Sequence, residues 1–219
     1  MEAHQAGAPE PGNVGPREAD VAPAPDAAAA RSGGWTPADP GPLGLAAFAT
    51  STFVLSVFNA NLVRPTGLTV VMGLALAYGG IAQLLAGMWE FRTGNTFGAV
   101  AFSSFGGFWI SFFVLLKLTP LLGLRPQAVA VYLYAWAIFT TYMFVASLRT
   151  TAAVALVFLL LAVTFFLLAI GNAGTNSSVI HAGGWAGLAT AVAAWYASFA
   201  GVTNSTFGRI LLPVYPLRR

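Results

Sequence analysis

From Thr150 to Gly208 the chain carries no Asp, Glu, Lys or Arg. A water-soluble domain draws roughly a quarter of its residues from those four types, so a stretch of this length without one is a stretch that avoids water. The hydrocarbon core of a bilayer is about 30 Å thick and takes about 20 apolar residues of helix per crossing. The uncharged run is too long for one crossing and must turn within itself. Gly171-Asn172-Ala173-Gly174-Thr175-Asn176-Ser177-Ser178 is small and polar enough to make that turn. The rest of the chain divides in the same way, at Arg64-Pro65, at Arg92-Thr93-Gly94, and from Lys117 through Pro120 and Gly123 to Arg125-Pro126. Spans are therefore expected near 43–61, 67–90, 96–117, 127–148, 151–171 and 183–202. The fold class is an all-α integral membrane protein, six transmembrane helices per protomer in a bundle rich in small residues.

Charge is badly shared along the chain, which is 57% hydrophobic and 8% charged. Of its 7 acids, Glu2, Glu10, Glu18, Asp20, Asp26 and Asp39 precede the first span and only Glu90 follows it. The Ala/Pro-rich residues 1–37 contain no apolar stretch behind a basic start, so they read as a disordered cytoplasmic tail rather than a signal peptide. The membrane domain is expected over 38–213, with 214–219 a short basic tail. The basic residues stand singly rather than in patches, which argues against a nucleic-acid partner. With no cysteine in the chain, disulfides and thiolate metal sites are excluded. No zinc motif, phosphate loop, nucleophile elbow or pair of intramembrane carboxylates is present, so neither an enzyme, a metal site nor a cofactor is expected. No repeat relates the two halves, so an inverted-repeat transporter is not supported. An even number of spans puts both termini on the side holding Arg17, Arg31, Arg92, Arg149, Arg209, Arg218 and Arg219, against Arg64, Lys117 and Arg125 on the other. The positive-inside rule makes that side the cytoplasm, and the location a cell (inner) membrane.

Small residues recur at helical spacing at Gly94 and Gly98, at Ser103, Ser104, Gly106 and Gly107, and at Gly183 and Gly187. They suit close helix packing in lipid, with a pore-lining role the alternative. Ser103, Ser104 and Thr164 are readily satisfied by their own helix, while Gln83 has a donor group and an acceptor to place in hydrocarbon. Its roles are an interhelical bond or a pore-side position. Glu90 reads as an interfacial ion pair with Arg92 or a cap, with a proton relay as the alternative. His181 reads as a hydrogen-bonded structural residue beside a loop or as a proton-coupling group. Asn95 and Thr96, and Leu43, Gly44 and Leu45 after Pro42, stand at helix N-termini able to aim N–H groups at a carboxylate.

Asp39-Pro40-Gly41-Pro42-Leu43-Gly44-Leu45 stands at the mouth of the first span. Tyr78-Gly79-Gly80-Ile81-Ala82-Gln83 follows in the second, and Glu90-Phe91-Arg92-Thr93-Gly94-Asn95-Thr96-Phe97-Gly98 leads into the third. Later come Ala169-Ile170-Gly171-Asn172, then Ile180-His181-Ala182-Gly183-Gly184-Trp185, Phe207-Gly208-Arg209 and Leu212-Pro213. In this order, over residues 38 to 213, they resemble the acetate uptake transporter family of bacterial succinate–acetate permeases and related fungal proteins. The family signature reads Asn-Pro-Ala-Pro-Leu-Gly-Leu, with Asn where this chain has Asp39. The resemblance implies a homohexamer whose protomers each hold a path for acetate and related small carboxylates such as succinate, proton-coupled or channel-like. It implies a constriction at Phe48, Phe105 and Leu161, with Phe105 in place of the family's Tyr, and Ala194 near the path. Tyr78, Gln83, Asn95 and Thr96 fall along it. Asp39 suits a helix cap but would repel an anion. Two other readings stay open: a carboxylate-sensing or scaffold membrane protein, and a channel for another small solute such as ammonium.

Overall fold

A backbone crossing hydrocarbon has no water to bond, so each crossing must be helical and each helix end must find its partners elsewhere. The computed structural model describes Trp35 and residues 37–123 and 125–217. The 1–37 tail lies almost wholly outside the described residues, as do Arg218 and Arg219. Among the described residues, six helices are long and apolar enough to cross a membrane: α1 (Gly41–Asn59), α2 (Thr69–Thr93), α3 (Thr96–Leu122), α4 (Pro126–Ser147), α5 (Ala152–Ala173) and α6 (Ser177–Phe207).

Polar side chains at predicted turns set the starts. Asp39 Oδ1 accepts from Gly41 N at 2.8 Å, Asn95 Oδ1 from Gly98 N at 3.1 Å, Thr151 Oγ1 from Val154 N at 3.2 Å and Asn176 Oδ1 from Val179 N at 3.3 Å. α2, α3 and α6 end at Gly94, Gly123 and Gly208, whose φ of 78°, 58° and 63° only glycine adopts without strain. The turn after α5 uses only Gly174, Thr175 and Asn176, so α6 starts before the expected 183 and runs 31 residues. Asn176 capping moves that boundary, since Ser177 and Ser178 join the helix instead of the loop.

α6 packs along both α1 and α5, α5 also along α4, and α2 along α3 and α1. Glycines set how near these axes come. A Cβ on Gly184 would strike the backbone N of Ala60 at the end of α1, and one on Gly187 would strike Ser56 Oγ. On the other side of the bundle, Gly87 of α2 faces the backbone of Ser103 on α3. α2 is not regular throughout: it widens into a π-helix over Ala77–Ala82, and the widened turn faces Ser51 of α1 and Trp109 of α3 through Gly79.

The segment after α6 returns to the bundle. Asn204 Oδ1 accepts from Leu211 N at 2.8 Å and Leu212 N at 3.0 Å, while its Nδ2 donates to Leu212 O at 2.8 Å. Ala152 N then donates to Tyr215 O at 2.8 Å, Ala153 N to Val214 O at 3.3 Å, and Leu217 N to Thr150 O at 2.9 Å. Residues 214–217 are thus a strap bonded across the first turn of α5.

Gly184→Leu is expected to lower the thermal unfolding midpoint of the detergent-solubilised protein, because overpacking against backbone costs about 1–3 kcal/mol or more. Gly107→Ala, where a Cβ meets nothing within 4 Å, should leave it unchanged or slightly raised. Equal midpoints for the two variants would contradict the α1–α6 contact.

Candidate functional site

Two cavities enter the bundle from opposite ends and meet at a narrow neck. The first, of about 320 Å³, lies on the side of the described termini, among the starts of α1, α3 and α5 and the ends of α2 and α6. Asp39, Pro42, Leu45, Glu90, Asn95, Phe102, Thr151, Phe158 and Asn204 are among its walls. The second, of about 240 Å³, is walled by Phe48, Thr52, Ser56, Asn59, Trp109, Leu161, Thr164 and Asn172 among others. Between them is a space of about 20 Å³ lined by Leu45, Phe48, Gln83, Ala101, Phe102, Phe105, Val157, Phe158 and Leu161. Leu45, Ala101, Phe102 and Phe158 also wall the first cavity, and Phe48 and Leu161 the second. A space of that size holds about one water-sized sphere, so the neck is closed to larger solutes in this conformation.

Phe48, Phe105 and Leu161 come together at that neck. Phe105 is its hub, with ring centroids 5.7 Å from Phe48, 6.0 Å from Phe158, 5.4 Å from Phe139 and 6.0 Å from Trp136. Such tilted and edge-on pairs hold rings in place beyond their burial alone. Gly44 helps from α1, because a Cβ there would strike the Phe102 ring. Gln83, 1% exposed, is the one polar side chain in the neck lining, and its Oε1 has no hydrogen-bond partner among the described residues.

Thr52 Oγ1 and Trp109 Nε1 are also buried without partners, and both residues wall the second cavity; Ser103 Oγ, expected to bond within its own helix, is likewise buried without a partner where Gly87 of α2 packs against it. Composition did not single out Thr52 and Trp109, yet a signal was available. Thr52 lies four residues after Phe48, Trp109 four after Phe105 and Phe165 four after Leu161, so each repeats the inward phase one turn further along its helix. Thr164 and Thr190 pair by their hydroxyls at 3.2 Å while each donates or leans toward its own helix, Thr164 at Leu160 O and Thr190 at Ala186 O.

At the first mouth, Glu90 is 2% exposed and its Oε2 accepts from Thr93 Oγ1 at 3.1 Å. It faces inward, whereas Arg92 is exposed. A Cβ built on Gly41 would lie 3.0 Å from Asp39 Oδ1 and 3.6 Å from Glu90 Oε1, so both carboxyls border one corner of the cavity. The helix starts there are largely occupied by the chain itself. Gly98 N and Ala99 N bond to Asn95, Gly41 N to Asp39, Gly44 N to Pro40, and Ala152 N and Ala153 N to the strap.

The remaining sequence candidates lie away from these spaces. Leu43 is 45% exposed, Thr96 is exposed, and Tyr78 is half-buried within the π-helical turn. His181 is half-buried on α6, and Ala194 is fully buried in the core. None of the five walls either cavity or the neck. Pro40 is buried behind the mouth, and its carbonyl closes the first turn of α1.

A profile described as the GPR1/FUN34/yaaH family matches residues 25–219. The chain belongs to that family. It is 45% identical over 195 residues to acetate permease A of Emericella nidulans, covering 81% of this chain and 65% of that protein. The chain thus spans about two thirds of the length of that fungal relative. It is 42% identical over 181 residues to the succinate-acetate/proton symporter SatP of Escherichia coli K12, covering 81% of this chain and 95% of the symporter. Among solved structures, the bacterial acetate channel SatP superposes with a TM-score of 0.78 at 39% identity, over 81% of this chain and 99% of that one.

Removing the cap at the first mouth tests how that mouth is built. Asn95→Ala should destabilise the protein by about 1 kcal/mol, seen as a lower thermal midpoint, whereas Asn95→Ser, which keeps an accepting oxygen, should lose only a fraction of that. Equal losses would mean that the cap does not organise the start of α3.

Proposed function

We propose that this chain moves acetate and related small carboxylates, succinate among them, across a membrane through the two cavities and the neck of each protomer. The observation that carries the reading is the meeting of Phe48, Phe105 and Leu161 where two opposed cavities converge. An apolar neck with a single amide admits a small methyl-bearing solute and rejects hydrated ions. The family relatives whose names specify acetate support the substrate class. In this reading Phe48, Phe105 and Leu161 form the constriction. Leu45, Gln83 and Asn95 border the path, with Gly44 supporting it, and Asp39 and Glu90 flank the entrance. The protein sits in the cell membrane with both termini cytoplasmic, supported by the arginine asymmetry, and it assembles as a homohexamer, supported by the resemblance.

A second reading, a carboxylate sensor on the same fold, draws on the closed neck. It predicts binding without net movement. Radiolabelled acetate uptake into proteoliposomes, measured beside calorimetric binding in the same preparation, separates the two. Uptake above that of protein-free vesicles is expected, and binding without it would favour the sensor.

Two variants refine the transport reading. Leu161→Ala should widen the neck and raise butyrate uptake relative to acetate severalfold, and an unchanged ratio would remove Leu161 from the constriction. Asp39→Asn keeps an oxygen for Gly41 N and removes a negative charge from the entrance. Folding should be intact and acetate uptake equal or higher, and a large loss would show that the Asp39 charge serves the transport step.

A further inference from the structure

This inference rests on the acetate-transport reading and concerns what holds the neck closed. A space of about 20 Å³ takes a single water, so one wall of the neck must move before acetate can pass. α1, α2, α3 and α5 supply the described lining of the neck and α6 none of it. Three of those four helices are held by close seams. α1 is fixed to α6 at both ends, by Gly184 against Ala60 at one, and by Gly201 against Pro42 and Ser198 Oγ donating to Pro42 O at 2.7 Å at the other. α2 and α3 interlock, with Gly87 against the backbone of Ser103 and Gly106 against that of Leu84.

α5 is held differently in its two halves. Its second half has a seam of the same kind with α6: a Cβ on Gly183 would strike Leu168, one on Gly171 would strike the backbone N of Ile180, and the Thr164 and Thr190 hydroxyls pair at 3.2 Å. Its first half, Ala152 to Leu161, contains no glycine. An outer groove of about 860 Å³ runs between that half and α6, lined by Leu156 and Leu160 on α5 and by Leu188, Val192 and Tyr196 on α6. Yet Val157, Phe158 and Leu161, the whole contribution of α5 to the neck, lie on this half. What ties it down is the strap. Tyr215 O and Val214 O accept from Ala152 N and Ala153 N, and the strap is itself pinned to α6 by Tyr196 Oη donating to Pro213 O at 2.7 Å and by the bonds of Asn204 to Leu211 and Leu212. Tyr215 sits at a φ of 51°, a left-handed backbone that a bulky side chain adopts only where its surroundings impose it. The strap therefore joins α5 to α6 through a few polar contacts, and holds strain that its release would relieve.

We propose that the strap is a latch on the neck. While it is fastened, α5 keeps Phe158 and Leu161 in the neck and the path is autoinhibited. When it lets go, the first half of α5 swings outward about the Thr164–Thr190 seam and the path opens. α4 packs along α5 and meets α3 through rings and the Ser111–Tyr132 hydroxyl pair, contacts between side chains alone, so it travels with α5.

The chain has no cysteine, so the latch can be fastened with an engineered pair. Tyr196→Cys combined with Pro213→Cys, in the full chain in proteoliposomes, is joined by a bismaleimide with a reducible spacer. Radiolabelled acetate uptake should fall about tenfold on cross-linking, as when an open state is no longer populated, and return on reduction. Each single-cysteine chain should be unaffected by the reagent, which assigns the change to the link. Unfastening uses Tyr196→Phe, which removes one hydroxyl, and Asn204→Ala, which removes the bonds to Leu211 and Leu212. Both should raise acetate uptake severalfold, and butyrate uptake by a larger factor, because a retreating α5 widens the neck itself. Uptake that persists through cross-linking overturns the latch, as does a Tyr196→Phe protein no faster than the unaltered one or with an unchanged butyrate-to-acetate ratio. Each of these leaves acetate transport standing. Uptake that falls in both variants together with the thermal midpoint makes the strap a brace of the fold and equally overturns the latch. Absence of protein-dependent acetate uptake in the unaltered chain and in every variant overturns the transport reading and the latch together. The cross-linking arm compares one preparation before and after reduction, so it decides the matter even if Asn204→Ala fails to fold.

Discussion

A peptide group left unpaired in hydrocarbon costs several kcal/mol, and the architecture of this protein is arranged around that cost. Helices pair the groups within each span, and the ends are closed by the chain's own oxygens. Asp39, Asn95, Thr151 and Asn176 supply side chains, and the carbonyls of Val214 and Tyr215 supply the strap over the start of α5. The same closures shape the electrostatics of the first cavity. Capped N–H groups are withdrawn from the first cavity, whose ionisable wall residues among those described are the carboxyls of Asp39 and Glu90.

Close approach in lipid rests on small residues rather than on expulsion of water. Here Gly184 and Gly187 bring α6 onto α1, and Gly79 and Gly87 bring α2 onto α3. The two glycine seams leave a gap between them that aromatic rings fill. Phe105 touches Phe48, Phe139, Trp136 and Phe158, and Phe108 adds Tyr132 and Phe165 at 5.9 Å and 5.3 Å. The neck is therefore not an isolated set of three residues but the middle of a ring network tied to α4 and α5. Gln83 enters this network from α2, on the same face as Gly79 and Gly87, at the one place where an amide replaces a ring.

Much of this was legible in the sequence, and the reasons are specific. An uncharged run too long for one crossing forced a turn where Gly174, Thr175 and Asn176 now make it, and single arginines with prolines or glycines marked the other turns. Phe48, Phe105 and Leu161 were legible only through motif resemblance; composition does not distinguish them from the other apolar residues of a lipid-facing helix. Thr52 and Trp109 needed helical phase carried outward from those positions. The strap was not legible, because Val214 and Tyr215 bond through backbone atoms that no side-chain pattern announces. His181 drew attention as the histidine of the membrane region and Tyr78 through the family motif, yet His181 on α6 and Tyr78 in the widened turn of α2 wall neither cavity.

The π-helical turn at Ala77–Ala82 has a consequence for how this helix tolerates change in length. An ordinary helical turn holds 3.6 residues, so each residue advances the phase by about 100°, and a wider turn accommodates an additional residue without moving the helix beyond it. The two halves of α2 are thereby phased separately, with Val71 and Ala75 in the core on one side and Gln83, Gly87 and Glu90 inward on the other. Deleting one residue within 77–82 would restore a regular ladder of hydrogen bonds but swing one half against the other by that angle. Either Gln83 would leave the neck and Gly87 its seat on Ser103, or Val71 would turn out of the core. α2 is thus more exposed to the loss of a single residue than to most exchanges of one side chain for another, and its length between Val71 and Glu90 is itself part of what sets Gln83 in the neck.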